Sequence, residues 1–206
     1  MSQLTSGIRA ILSSPQFYEL FQKLMGINYI RSEFVREFIN PFPACRILDI
    51  GCGPARILDY LPDCQYYGFD PSRKYIDDAI LRYGKRGHFH CSLVEKATID
   101  HLELFDIVIA VGVLHHLDDD QSLRLLRLAK SALRDSGKLI TIDPVFVEAQ
   151  NVVSRFLINR DRGLNVRSSQ EYFELAHSVF FDIQAEVKHR FWVPYTQYIM
   201  TCLNNS

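Results

Sequence analysis

The stretch RILDIGCGPARIL, residues 46–58, constrains the fold of this chain more than any other. Its apolar run ends at Gly51 and Gly53, and apolar residues at helical spacing follow. A strand, a tight glycine turn and a helix in this order open many α/β folds that bind nucleotides, because bare backbone at the turn lets a ligand come close. The stretch therefore predicts a binding loop at the end of the first strand.

The rest of the chain continues as alternating strands and helices. We predict strands at 46–50, 65–69, 87–91, 105–111 and 138–143, and helices at about 55–61, 72–83 and 120–134. The strands DIVIAV and KLITI are apolar on both faces, as in a parallel sheet that helices cover on both sides. The predicted fold class is α/β, with a doubly wound, Rossmann-like sheet.

The alternation changes after Asp143. Ser168 and Glu171 predict a capping box at the start of a helix. The segments FFDIQAEVKH and YTQYIMTCL then predict two strands joined by a turn around Pro194. Such a hairpin adds antiparallel strands to an otherwise parallel sheet.

The domain organisation follows from these patterns and from the chain length of 206 residues. The segments SPQFYELFQKLMG and NYIRSEFVREFI predict two helices before the first strand. We expect one domain over 1–206, with a helical lid at 1–43, a catalytic core at 44–206 and a candidate substrate cap at 144–168.

Composition narrows the classes of partner. The chain has 23 Lys and Arg residues against 24 Asp and Glu residues, so it lacks the positive charge that binds nucleic acid. Its longest apolar run, IVIAVGVL, is too short to cross a bilayer. Five cysteines without a C-x-x-C pair suit neither a disulfide framework nor a zinc ribbon. We expect a soluble cytoplasmic protein that acts on a small molecule, with no nucleic-acid or membrane partner; the oligomeric state stays open.

The glycine turn has to be matched to a ligand. A dinucleotide fingerprint needs a third glycine where Arg56 stands, and a Walker loop needs a Gly-Lys-Ser/Thr that is absent. What remains is D-x-G-x-G, which contains Asp49, and a second acid, Asp70, at the tip of the next strand. Asp70 is placed to accept hydrogen bonds from a ribose diol. The alternatives are that Asp49 is a solvated acid at a strand end and that Asp70 is an acid at a helix start.

Taken together, the motifs LDIGCGPA, GFDPS, FDIVIAVGVLHHL and SGKLITIDP resemble those of the class I S-adenosylmethionine-dependent methyltransferases, in the same order over about 44–145. The resemblance implies S-adenosylmethionine as cofactor and a small-molecule acceptor. Ala55 stands where the family often has a third glycine. The resemblance assigns the following residues to the cofactor: Asp49, Gly51, Cys52, Gly53, Asp70, Pro71, Ser92, Leu93, Val111 and Gly112.

Two histidines, His115 and His116, follow the fourth strand at the sheet edge where α/β proteins bind ligands. A base near neutrality assists methyl transfer to a hydroxyl or an ammonium group. By resemblance His116 faces the methyl group or the acceptor, and His115 is the lesser candidate. The alternative for each is that it packs or hydrogen-bonds to hold the loop. The acids at 118–120 are interpreted as the start of a helix.

Two further groups of side chains have the chemistry to bind an acceptor or a metal ion. Tyr18, Tyr29, Arg160 and Arg162 are candidate acceptor contacts, the last two in a cluster with Arg155 and Arg167. Core packing for the tyrosines and solvation for the arginines are the alternatives. We expect no metal site, because His88 and His90 share one face of a strand whereas Cys91 points to the other.

The sequence thus predicts transfer of a methyl group to an oxygen or nitrogen of a small molecule by in-line displacement. The expected setting is secondary metabolism, or the modification of a cofactor or a surface polysaccharide. The alternative is an accessory or regulatory protein that binds S-adenosylmethionine without turnover. A nicotinamide oxidoreductase is disfavoured by Arg56.

Overall fold

A computed structural model describes residues 27–148, 150, 155, 163–190 and 193–205. The helices are α1 (Ile27–Phe34), α2 (Arg73–Tyr83), α3 (Lys96–Ile99), α4 (Asp119–Ala132) and α5 (Ser169–His177). The strands are β1 (Arg46–Ile50), β2 (Gln65–Phe69), β3 (Gly87–His90), β4 (Phe105–Val111), β5 (Leu133–Phe146), β6 (Arg167–Ser168), β7 (Asp182–Arg190) and β8 (Val193–Leu203).

One mixed sheet organises these elements, with the strand order β3-β2-β1-β4-β5-β8-β7. Strands β1 to β5 run parallel to one another, and β8 pairs antiparallel with both β5 and β7. The short β6 pairs in parallel with the end of β5. The predicted α/β class, with a mostly parallel sheet and an antiparallel C-terminal hairpin, is confirmed.

Alternate residues of the strands face two separate cores, as the two-residue period of a strand requires. Leu48 and Val108 face a core that includes Leu126 of α4. Ile47 and Ile109 face the other core, which also contains residues of α1, α2 and the turn after α1. Helices therefore cover both faces, and the carboxyl ends of β1, β2, β4 and β5 are left to form a site.

The predicted helix at 55–61 is wrong: a short 3₁₀ turn, Arg56–Asp59, takes its place. Pro62 follows closely and disfavours helical geometry for the residue before it. The stretch between the glycine turn and this proline is too short for an α-helix to nucleate.

The place of Pro194 also differs from the prediction. Strand β7 ends at Arg190 and β8 begins at Val193, so Pro194 belongs to β8 and does not lie between the two strands. Only residues from Gln197 onward in β8 pair with β5, and Pro194 precedes them. The missing N–H of Pro194 therefore breaks no hydrogen bond to β5.

At the N-terminal side, the second predicted helix is confirmed as α1 and a π-helical turn, Val35–Ile39, that continues it. The first predicted helix, at 14–26, lies outside the described residues. Within the described part of the chain, no helix has the length and apolar character needed to span a membrane.

Candidate functional site

The turn after β1 is shaped by glycines. Gly51 and Gly53 have φ angles of 73° and 54°, in the left-handed region that disfavours side chains. A Cβ on Gly51 would lie 2.7 Å from Val113 Cγ2, whereas a Cβ on Gly53 would meet nothing within 4 Å. The backbone N–H of Gly51 donates to Phe69 O at 2.8 Å, which ties the turn to the end of β2.

Asp70 joins the end of β2 to this turn. Its carboxylate accepts hydrogen bonds from Gly53 N at 3.0 Å and from Ser72 N at 2.8 Å. The residue is only 8% exposed, yet it lines a cleft at the carboxyl end of the sheet. A carboxylate has about four acceptor sites. Asp70 therefore keeps the capacity to accept two further hydrogen bonds, which is what a ribose diol requires.

Asp49 lies behind the turn rather than in the cleft. It is 3% exposed, and its Oδ2 accepts a hydrogen bond from the Tyr66 hydroxyl at 2.5 Å. Its buried Oδ1 has no partner among the described residues. Burial raises the pKa of this carboxyl group to about 7; the bond from Tyr66 opposes the rise and the charge of Asp70 adds to it. The strand that leads into the glycine turn thus contains an acid whose burial costs free energy.

The cleft has a volume of about 920 Å³. Seven of the residues that the sequence assigned to the cofactor line it: Gly51, Gly53, Asp70, Pro71, Ser92, Leu93 and Gly112. His116 lines it as well. Cys52 and Val111 do not: Cys52 packs toward Gly68 of β2, and Val111 is an exposed residue at the end of β4.

Sequence reasoning missed one wall of this cleft, formed by α4 and the residues after Leu93. The members of this wall are Val94, Glu95, Lys96, Gln121, Arg124, Leu125 and Leu128. The residues from α4 recur at helical spacing, so their common face was available as a signal. The sequence does not show on which face of the sheet α4 packs. That choice decides whether these residues line the cleft.

A 3₁₀ turn, Leu114–His116, follows β4 and presents the two histidines differently. His116 is exposed into the cleft, whereas His115 is only 6% exposed. The His115 Nδ1 lies 2.8 Å from Asp143 Oδ1, and the backbone N of His115 donates to the same oxygen at 3.2 Å. The contact with Asp143 fixes the orientation of the His115 ring. The two imidazole centroids are 4.0 Å apart.

Arg167 corrects the interpretation of the arginine cluster. It is neither a solvated side chain nor an open anion site, because it is buried and its guanidinium donates to Asp119 and to the carbonyls of Leu114 and Leu117. The acids at 118–120 do start a helix, as predicted: Asp118 caps α4 in a capping box with Gln121.

None of the other predicted acceptor contacts that fall within the described ranges is found lining the cleft. Tyr29 is 58% exposed on α1 and is not among the residues that line the cleft. Tyr18, Arg160 and Arg162 lie outside the described residues. Of the rejected metal ligands, His88 stacks on Tyr67 and His90 stacks on Phe69. No group of three or more potential ligands is placed to hold a metal ion in the part of the chain that the structure describes.

Comparisons with known proteins agree with this geometry. Residues 48–139 match the family model described as a methyltransferase domain. A ubiquinone biosynthesis O-methyltransferase of Bradyrhizobium diazoefficiens is 35% identical over 107 residues, which cover 46% of this chain and 41% of that relative. The match therefore spans less than half of the curated relative's length.

Two solved structures show how widely the fold is shared. A plantazolicin methyltransferase in complex with a triazolic desmethylPZN analog and SAH is 15% identical, with a TM-score of 0.61, and the match covers 96% of this chain and 94% of that one. The cyclase SpnF is 16% identical with a TM-score of 0.65, and the match covers 86% of this chain and 81% of that one. At these identities the likeness establishes the fold alone. The family match over residues 48–139, the curated relatives and the shared fold agree with the resemblance to class I S-adenosylmethionine-dependent methyltransferases that the sequence shows.

Proposed function

We propose that this chain transfers a methyl group from S-adenosylmethionine to an oxygen or nitrogen of a small molecule. The observation that carries the proposal is the bare turn at Gly51 and Gly53 beside the Asp70 carboxylate, which lines the cleft and accepts two backbone hydrogen bonds. The name of the curated relatives, ubiquinone biosynthesis O-methyltransferase, favours oxygen as the acceptor atom. When bound, the cofactor supplies a methyl group that is already activated on a sulfonium.

The chain's own residues hold the adenosine end. Asp70 accepts the two ribose hydroxyls, and the backbone at Gly51 and Gly53 makes room for the amino-acid tail. Ser92 and Leu93 border the adenine ring on the β3 side of the cleft. Asp49, whose buried Oδ1 has no hydrogen-bond partner within the described part of the chain, supports the turn from the adjoining end of β1.

His116 is the proposed base. It lies in the cleft beside Gly112 and Val113, at the end of β4, where a hydroxyl or ammonium acceptor approaches the methyl group. A positioned base contributes about 10² to 10⁴ in rate to such a reaction. His115 remains the second candidate, because Asp143 orients its ring.

The acceptor pocket is proposed to be closed by residues 1–43 and 144–168. Support for the second segment comes from β6: Arg167 pairs with Val145 and Ser168 with Phe146, so the chain leaves and rejoins the sheet at one edge near the histidines. All five cysteines are free, which agrees with a reducing cytoplasm. A role in secondary metabolism belongs to the same proposal.

A non-catalytic S-adenosylmethionine-binding protein is the second candidate. The observation that favours it is the cyclase SpnF, which has the same fold at a TM-score of 0.65 although its name is not that of a methyltransferase. The fold by itself therefore does not require methyl transfer.

The experiment that separates the candidates uses S-adenosylmethionine with a radiolabelled methyl group and a panel of phenols, catechols and amines. We expect label in an acceptor, a kcat about 10² to 10⁴ lower for His116→Gln at unchanged cofactor affinity, and no change for His101→Gln, which alters an exposed histidine. Tight cofactor binding with no labelled acceptor from any of these classes would favour the accessory protein. Equal turnover by His116→Gln would remove the base.

A further inference from the structure

The guanidinium of Arg167 is buried and uses every N–H it has. It is 7% exposed, and its Nε and Nη2 donate to Asp119 Oδ1 at 3.0 and 2.8 Å. Its Nη1 donates to Leu114 O and to Asn165 O, both at 3.1 Å, and its Nη2 also donates to Leu117 O at 2.8 Å. A guanidinium has five N–H donors, so none is left for a ligand.

Two of these acceptors flank the histidines. The carbonyls of Leu114 and Leu117 stand immediately before and after His115 and His116, and one side chain binds both. The neighbouring Asn165 N donates to His115 O at 3.0 Å, so the stretch around Arg167 holds the turn at three carbonyls. Asp143 of β5 also accepts a hydrogen bond from the backbone N of His115. The turn that carries His116 is thereby held both by β5 and by the stretch around Arg167.

The contacts with Leu114 and Leu117 do not belong to the regular ladders of the sheet or to α4. They lie in a short 3₁₀ turn with little internal hydrogen bonding, which lacks the rigidity of a long helix. Burying a cation is costly unless its hydrogen bonds compensate. Here those hydrogen bonds converge on the one turn whose shape sets the position of the proposed base.

We propose that Arg167 is a positioning residue for His116: its planar fork holds the carbonyls on both sides of the two histidines and so fixes where the His116 imidazole enters the cleft. This inference rests on the proposed function, since it assigns Arg167 a part in the same reaction. It adds a residue from beyond the span of the family match, which ends at residue 139.

Lysine at this position discriminates between positioning and charge. Arg167→Lys keeps the positive charge beside Asp119, but a single ammonium cannot reproduce a planar fork that reaches Leu114 O, Leu117 O and Asp119 together. Arg167→Gln removes the charge as well. Asp119→Asn leaves the arginine in place and weakens the pair that aims it. Arg127→Lys, on an exposed residue of α4, is the matched control.

The primary readout is the imidazole nitrogen spectrum of protein labelled with ¹⁵N-histidine, with the His116 signals assigned by their loss in His116→Gln. We expect Arg167→Lys to shift the signals and the pH midpoint of His116, and Asp119→Asn to shift them in the same direction by less. His88 and His90 should keep their signals, and S-adenosylhomocysteine should bind within about twofold of wild type in calorimetry. Arg127→Lys should match wild type throughout.

Turnover supplies the second readout wherever an acceptor has been found. A base displaced by about 1 Å costs on the order of 10²-fold in rate, so kcat should fall by about that factor with little change in KM. The proposal is overturned if folded Arg167→Lys keeps the His116 signals of wild type, or if it disturbs His88, His90 and cofactor affinity as much as His116. Because the spectra need no acceptor, a failure of methyl transfer and a failure of positioning remain distinguishable; if Arg167→Gln does not fold, Arg167→Lys and Asp119→Asn decide.

Discussion

The two halves of the cleft are assembled over very different distances along the chain. In the cofactor half, Gly53 binds Asp70 and Asp49 binds Tyr66, and each pair is 17 residues apart. In the histidine half, His115 binds Asp143 across 28 residues and Arg167 binds Leu114 O across 53. The first half is one strand-turn-strand unit that a short motif specifies. The second exists only after β5 and the chain beyond it have packed.

The strongest test of this division is Asp70→Ala, which should damage the cofactor half alone. Loss of two charge-assisted hydrogen bonds to a ribose, at about 1.5–3 kcal/mol each, should weaken binding of S-adenosylhomocysteine by about 10²-fold or more. Calorimetry measures this, and Asp77→Ala, on an exposed acid of α2, should bind as wild type does. Unchanged affinity in Asp70→Ala would remove Asp70 from the site.

Next in size is the pH dependence that Asp49 gives the cofactor half. Its pKa is raised from 3.8 to about 7 in the fold, so between these values the folded state keeps a proton that the unfolded state has released. Stability should therefore fall as pH rises from about 4 to 7, by on the order of 3 kcal/mol, and stay level above. Asp49→Asn should abolish this fall in urea titrations, while Asp77→Asn keeps it. A slope that persists in Asp49→Asn would contradict the assignment.

Glycine substitutions sharpen the comparison inside the cofactor half. Gly51→Ala forces a side chain into a left-handed φ and against Val113, at the seam between the two halves. Gly84→Ala has a similar φ of 53° but meets nothing within 4 Å. We expect about 1 kcal/mol of destabilisation for Gly84→Ala and about 2–3 kcal/mol for Gly51→Ala, with weaker cofactor binding only in the latter. Equal losses in thermal unfolding would show that the contact with Val113 is immaterial.

The smallest effect concerns the histidine half, where α5 directly follows Arg167. Ser168 caps this helix in a capping box with Glu171, whereas Ser72 precedes α2 without a side-chain cap. Ser168→Ala should lower the free energy of unfolding by about 1 kcal/mol, and Ser72→Ala by only a few tenths of a kcal/mol. Urea titration of both variants measures the difference. If the two substitutions lower the free energy of unfolding equally, the cap contributes nothing to the stability of this half.

Much of the cofactor half was predictable from its amino-acid sequence. The five residues of β1 and of β2 match the expected strands, and the pair of glycines with Asp70 lies where the motif places it. Such local units are encoded by an apolar run, a turn and a polar strand end that sit close in sequence. The burial of Asp49 was not predictable. The sequence pattern of an acid at a strand end is the same whether its carboxylate contacts solvent or a tyrosine from the next strand.

The histidine half was predictable only in its parts. Both histidines and the start of α4 were found, but not the Asp143 contact or the buried state of Arg167. An arginine among polar residues, followed by Ser168, has the pattern of a surface position. Its burial follows from the pairing of β6 with β5. This is a long-range contact between short segments, and hydrophobic periodicity does not predict such contacts.

The central claim is that the bare turn after β1 and the carboxylate of Asp70 together hold an adenosine with an amino-acid tail. The most direct measurement is a crystal structure grown with S-adenosylhomocysteine. The claim predicts both ribose hydroxyls within hydrogen-bond distance of Asp70 and the amino-acid tail against Gly51 and Gly53. A cleft that stays empty at saturating ligand, or that takes a dinucleotide in competition, would contradict it.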